Sequence, residues 1–100
     1  MTGKERAALR AECNGLAATV HVGHQGIVPG IIQDLDDGLR VRELVKVQLS
    51  KHLDRTPKQL AHELATATGS EVIQVIGRTA SFYRYNPDLE LKGDTPPWRR

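Results

Sequence analysis

A chain of 100 residues makes one domain, able to bury a modest core without metal or disulfide support. Its single cysteine, Cys13, excludes an internal disulfide and a cysteine-based zinc site, and its net charge of +2 is too mild to name a partner. Mixed charges and ordinary apolar content exclude general disorder, the polar stretch 1–6 reads as no secretory signal, and no apolar run is long enough to span a bilayer.

Thr2 and Glu5 stand at capping-box spacing and predict a helix start. Leu9, Cys13 and Leu16 mark its buried stripe, Gly15 its end, and Lys4, Arg6 and Arg10 its solvent side. Cys13 on that stripe reads as a small buried hydrophobe, in keeping with a reducing cytoplasm. Thr19-Val20-His21-Val22 predicts a short strand and Gly23-His24-Gln25-Gly26 a tight loop. Pro29 suits the first turn of the next helix. Val28, Ile32, Leu35 and Leu39 form that helix's core face with Ile31 alongside, while Asp34, Asp36 and Asp37 read as its solvated face.

Positions 44–49 alternate as a strand, with Val45, Val47 and Leu49 on one face and Lys46 and Gln48 on the other. After a turn at 51–55, Thr56, Pro57 and Gln59 form a second capping signature. Leu60, Leu64 and Ala67 give the stripe of that helix, Ala61 and Ala65 widen it, and Gly69 stops it. Positions 72–76 are rich in β-branched residues and predict a central strand covered on both faces. Gly77-Arg78 predicts a type II′ hairpin turn, with 79–85 as the partner strand. From Asn86 onward, Pro87, Pro96 and Pro97 among scattered charges predict a tail, docked or poorly ordered. The domain is then 1–86 and the tail 87–100.

Strands separated by helices favour parallel crossovers, whereas a closing hairpin is antiparallel. The expected fold is therefore α/β: an α-β-α-β-α-β-β sandwich with a four-stranded mixed sheet and three helices. Charge is segregated along it. Asp34, Asp36, Asp37 and Glu43 dominate 21–43, and Lys46, Lys51, Arg55 and Lys58 dominate 44–58. One acidic and one basic face follow, the latter being the footprint of a phosphate-binding surface.

The loop Gly23-His24-Gln25-Gly26 carries the chemistry. Two glycines three apart let the backbone bend sharply and come close to another chain, and the N–H groups opening the next helix can face a phosphate. Clamping of a nucleic-acid backbone by a GxxG loop works in this way. The four histidines, His21, His24, His52 and His62, form no metal-ligand spacing, and the Asp34–Asp37 run lacks the setting of a catalytic pair.

Three segments together resemble the CRM domain, the chloroplast-RNA-splicing and ribosome-maturation family that includes small bacterial YhbY-like proteins. They are Val20-His21-Val22-Gly23-His24-Gln25-Gly26, Glu43-Leu44-Val45-Lys46-Val47, and Val75-Ile76-Gly77-Arg78-Thr79 followed by Phe82-Tyr83-Arg84. The resemblance runs from roughly residue 5 to 85. It departs from the family pattern inside the loop, where His24 and Gln25 replace the usual basic residue. It departs also at Ala17-Ala18, in place of Lys-Pro, and at Ile27-Val28, in place of Leu-Thr.

The resemblance implies a fold similar to the C-terminal domain of translation initiation factor 3, no catalysis and no cofactor. It also implies RNA as partner, either ribosomal RNA or the precursor large ribosomal subunit, in the cytoplasm. Neither a membrane nor a small-molecule substrate is expected, and a monomer is. Gly23, His24, Gln25 and Gly26 would approach the RNA backbone. Arg78, Thr79, Lys46 and Arg84 would supply charge and contacts, with Arg6 and Arg10 at the margin. Trp98 is a tail residue able to stack on a base or dock on its own domain. A rival expectation is an adaptor that docks on a ribosomal protein or translation factor through the acidic helix face near Asp34 and Asp37.

Overall fold

A computed structural model describes residues 1–91 and 93. The elements run α1 (Gly3–Gly15), β1 (Val20–Val22), α2 (Pro29–Arg42), β2 (Leu44–Leu49), α3 (Pro57–Thr68), β3 (Glu71–Ile76), β4 (Thr79–Tyr83) and a short α4 (Pro87–Leu91). The four strands form one sheet in the order β1-β2-β4-β3. β1 is parallel to β2, and β4 is antiparallel to both β2 and β3. This is the mixed α/β sandwich expected.

Local chemistry explains the element boundaries. Thr2 and Thr56 each accept the N–H three residues on, and the side chains of Glu5 and Gln59 each accept the cap residue's own N–H. Both capping boxes therefore satisfy helix-start donors internally. α3 stops at Gly69, whose φ of 66° is left-handed. Gly77 turns the β3–β4 hairpin at φ 57°, as the turn type requires.

Alternation along β2 separates two cores. Val45, Val47 and Leu49 join Ala80 and Phe82 under Leu35 and Leu39 of α2 and Leu60 and Leu64 of α3. On the other face α1 lays Leu9 and Cys13 over Leu44 and Ile73, with Tyr83 and Leu16 alongside. Full burial of each such Leu or Phe is worth about 2 kcal/mol. The larger core lies under two helices. The smaller lies under one helix, which leaves part of that sheet face open.

Several local expectations are corrected. The strand at 72–76 is not central. β4 inserts between β2 and β3, so β3 lies at the sheet edge, where only Ile73 is buried and Ile76 is 61% exposed. Ala67 is exposed, and the adjoining Thr68 is buried instead, with its hydroxyl donating to the Leu64 carbonyl at 2.9 Å. The last strand ends at Tyr83, since β2 begins at Leu44 and β3 at Glu71, both opposite Tyr83. Beyond it Asn86 anchors α4: its N–H donates to Glu43 Oε2 at 3.0 Å, and its side-chain oxygen accepts the Asp88 N–H at 3.0 Å. Lys92, Pro96, Pro97, Trp98, Arg99 and Arg100 lie outside the described residues.

Candidate functional site

The carboxyl ends of β1 and β2 lie side by side because these strands are parallel, and the loops leaving them must meet. The Ser50 N–H donates to the Val22 carbonyl at 2.9 Å, joining loop 50–56 to the start of loop 23–28. The Leu49 N–H donates to the Arg78 carbonyl at 2.7 Å, drawing the β3–β4 hairpin to the same end. Three loops thus share one end of the sheet. They span roughly 10 to 15 Å, two to three interstrand spacings.

Gly23 to Gly26 is a closed turn, with the Gly26 N–H donating to the Gly23 carbonyl at 3.0 Å. Gly26 sits at φ 78°, a conformation that disfavours a side chain. Gly23 has no positive φ, and a Cβ built there meets nothing within 4 Å. The turn therefore requires glycine at 26 but not at 23, where the absent side chain leaves open space facing solvent. His24 and Gln25 are exposed. Between this turn and residues 52–55 lies an open depression of about 360 Å³, in which Asp54 is the acidic residue of the lining.

The turn runs into α2, which differs from the two capped helices. Its N-cap is Val28, which makes no side-chain cap hydrogen bond, followed by Pro29, and its first turn holds no acidic residue. The helix dipole therefore has no carboxylate in the helix's own first turn to answer it. Lys51 and Arg78 stand at the same end of the sheet, both exposed and, among the described residues, in no ion pair. Arg55 is bonded to Glu63 and lies 3.9 Å from Asp54. Sequence reading placed Lys51 only within the basic 44–58 segment and His52 only among four histidines without metal spacing, because neither belongs to a motif. What singles them out is position, directly after a strand parallel to the one feeding the glycine turn.

Of the expected residues, Gly23, His24, Gln25, Gly26, Arg78 and Thr79 come together at this end. Lys46, Arg84 and Arg6 do not, and each has an internal task. Lys46 Nζ donates to the carbonyls of Cys13 and Leu16, at 3.1 and 3.2 Å. α1 has no basic residue in its last turn, so β2 supplies the cation that closes it. Arg84 Nη1 reaches Asp36 Oδ1 at 2.6 Å and the Thr68 carbonyl at 2.8 Å, and Nη2 reaches the Asp36 carbonyl at 3.1 Å. It ties β4 to α2 and to the end of α3. Arg6 pairs with Glu71 at 3.0 Å across α1 and β3. Arg10 is exposed, one turn along the same helix stripe, and in no ion pair among the described residues.

The acidic face is also partly internal. Asp36 is not simply solvated, because it accepts from both Arg84 and Arg40. Those hydrogen bonds, Arg84 first, hold its carboxyl below the usual carboxylate range. Asp37 is bonded to Arg40 as well, at 2.9 Å. Glu43 is fully buried at φ 65°, an unusual conformation for a residue with a side chain. Its backbone caps α2 through the Leu39 carbonyl and accepts the Arg84 N–H. On the α1 side Cys13 is buried, and desolvation pushes its thiol up against the opposing pull of Ser81 and Lys46. Among the described residues no group of His, Cys, Asp and Glu is placed to hold a metal ion, and no helix is long and apolar enough to cross a membrane.

Comparison with known proteins matches this architecture. A model of the CRS1/YhbY (CRM) domain matches residues 1–84. The chain is 29% identical over 94 residues to Probable RNA-binding protein YqeI of Bacillus subtilis, covering 91% of this chain and 98% of that one. It is 25% identical over 93 residues to an RNA-binding protein of Haemophilus influenzae, covering 92% of this chain and 93% of that one. The solution structure of a hypothetical Staphylococcus aureus protein, described as a candidate RNA-binding protein, is similar at a TM-score of 0.72 and 35% identity. That match covers 86% of this chain and 90% of the other.

Proposed function

The chain belongs to the CRS1/YhbY (CRM) domain family, and from that premise we propose that it is a non-catalytic, monomeric RNA-binding accessory factor of the cytoplasm. It holds ribosomal RNA of the precursor large subunit by backbone contact and shape. The names of its relatives support RNA as the partner. The observation that carries the reading is the exposed 23–26 turn, feeding a helix start with neither side-chain cap nor acidic residue, at the same sheet end as the unneutralised Lys51 and Arg78. A phosphate backbone laid across this end meets the turn, the positive end of the helix dipole and the two cations.

In this reading Gly23 keeps the approach open, and His24 and Gln25 flank the phosphate. Lys46 and Arg84 hold the scaffold instead of the ligand. Of the face near Asp34 and Asp37 that the adaptor reading needs, Asp34 is exposed and in no ion pair among the described residues, whereas Asp37 is bonded to Arg40 and the neighbouring Asp36 to Arg40 and Arg84. Crosslinking in cells, followed by sequencing of the attached RNA, tests the assignment. A discrete large-subunit rRNA site is the expected result. A nuclease-resistant association with protein, and no enriched RNA, would refute it.

A further inference from the structure

α1 covers only one end of its sheet face. Beyond it two cross-strand rows run toward the glycine turn and the hairpin; the nearer is the open one, while in the row behind it Ser81 is buried and Lys46 and Gln74 are half-buried. The row nearer that end is His21, Gln48, Thr79 and Ile76. The row behind it is Thr19, Lys46, Ser81 and Gln74, in which the Thr19 N–H donates to the Lys46 carbonyl at 3.0 Å. These eight positions contain no carboxylate. At the β3 side, Asn14 of α1 leans over the rows and half-encloses a cleft of about 140 Å³ with Gln74, Ile76 and Thr79.

An open polar sheet face alone is ordinary. This one carries side-chain amides at the positions left uncovered, and they are barely engaged. Gln74 Nε2 donates to Asn14 Oδ1, and the Thr79 hydroxyl to Gln48 Oε1, both at 3.4 Å, the long limit of a hydrogen bond. Among the described residues Asn14 Nδ2, Gln48 Nε2 and Gln74 Oε1 have no partner. Primary amides offer paired donors and acceptors, the chemistry that reads base edges. Ile76 adds an exposed apolar wall, and His21 an exposed ring on which a base can stack.

We infer that this open half of the sheet face reads the bases of an unpaired RNA segment whose phosphates are held at the glycine turn and hairpin. The inference rests on the RNA-binding reading above and adds the state of the RNA. A duplex offers its phosphates but keeps its base edges from a flat sheet, whereas a loop or bulge can splay a base onto Gln48 or into the Asn14–Gln74 cleft. Charge complementarity favours the same occupant, because the rows hold no carboxylate and the nearer one runs toward the exposed Arg78. Thr79 belongs to both surfaces and joins them.

The test compares the full chain with Gln48→Ala, Gln74→Ala and Arg78→Ala for binding to a short oligouridylate and to an RNA duplex by fluorescence anisotropy. Side-chain amide NMR signals of Asn14, Gln48 and Gln74 are followed in parallel in the unmodified chain. Each glutamine variant is expected to weaken single-strand binding roughly fivefold to tenfold, to leave duplex binding unchanged and to keep the parent's salt dependence, since no charge is lost. The amide signals are expected to shift with the oligouridylate and not with the duplex. Glutamine variants equal to the parent and unshifted amides, with Arg78→Ala still impaired, would overturn base reading while sparing the RNA-binding function. Loss of neither affinity nor salt dependence in Arg78→Ala would overturn the phosphate end itself.

Discussion

The two ends of the sheet use the same residue types to opposite purposes. At the end where β4 finishes, charges are tied into the fold: Arg84 to Asp36 and the end of α3, Arg40 to Asp36 and Asp37, Glu43 buried against Asn86. At the end where β1 and β2 finish, Lys51 and Arg78 project with no carboxylate bonded to them among the described residues. The difference teaches that a cation's role follows from what lies within reach of its stem. Helix-end carbonyls, and for Arg84 the Asp36 carboxylate, turn Arg84 and Lys46 into fasteners. A loop of glycines leaves Arg78 available to a ligand.

Four experiments strain this contrast, beginning with the largest effect. Arg84→Ala removes charge-assisted bonds to Asp36 and Thr68. It is expected to cost about 2 kcal/mol, or roughly 10 °C in Tm, with RNA affinity of the folded fraction unchanged. Calorimetry and anisotropy check the two halves of that statement, and a stable variant with lost affinity would move Arg84 to the ligand side. Lys51→Ala and Arg78→Ala are expected to do the reverse. Each weakens RNA binding several-fold, and stability stays within about 0.5 kcal/mol of the parent.

The glycines sharpen the contrast within one turn. Gly26→Ala forces a side chain to φ 78° and is expected to destabilise by about 1 kcal/mol. Gly23→Ala meets open space, so urea unfolding should match the parent while RNA affinity falls. Equal binding by the Gly23 variant would show that its lack of a side chain serves no ligand. Smallest is the pH response of the fastened end. Asp36 has a lowered pKa when folded, so its contribution is complete above the ordinary aspartate range near pH 3.8. It is lost as pH falls from there through the lower folded value. The stability of Asp36→Asn should therefore decline less than the parent's over that acidic interval. The difference is modest because the side chain remains about a third exposed.

Much of the fold was legible because its signals are local. Thr2 with Glu5 and Thr56 with Gln59 announce two helix starts, and alternation from 44 to 49 assigns each side chain of β2 to its face. Strand order was not legible. A run such as Val72-Ile73-Gln74-Val75-Ile76 reports apolar content and not which neighbours it will have, and the insertion of β4 put it at the edge. The glycine turn and Arg78 could be found from sequence because motif and loop chemistry coincide there. Lys46 and Arg84 sit within the motifs too, but Lys46 is held by the main-chain carbonyls of Cys13 and Leu16, and Arg84 by that of Thr68 and by Asp36, 48 residues away, which no local pattern advertises. Lys51 was legible only as one charge of the basic 44–58 segment, because its place near the turn depends on the parallel pairing of β1 and β2.

The claim at the centre is that RNA binds at the end with unneutralised cations. The salt dependence of binding to ribosomal RNA measures this most directly, with the double variant Lys51→Ala/Arg78→Ala set against the parent. Loss of two phosphate contacts predicts a log–log slope shallower by roughly 1.5 and a correspondingly weaker affinity at low salt. A slope and affinity equal to the parent's would contradict the account.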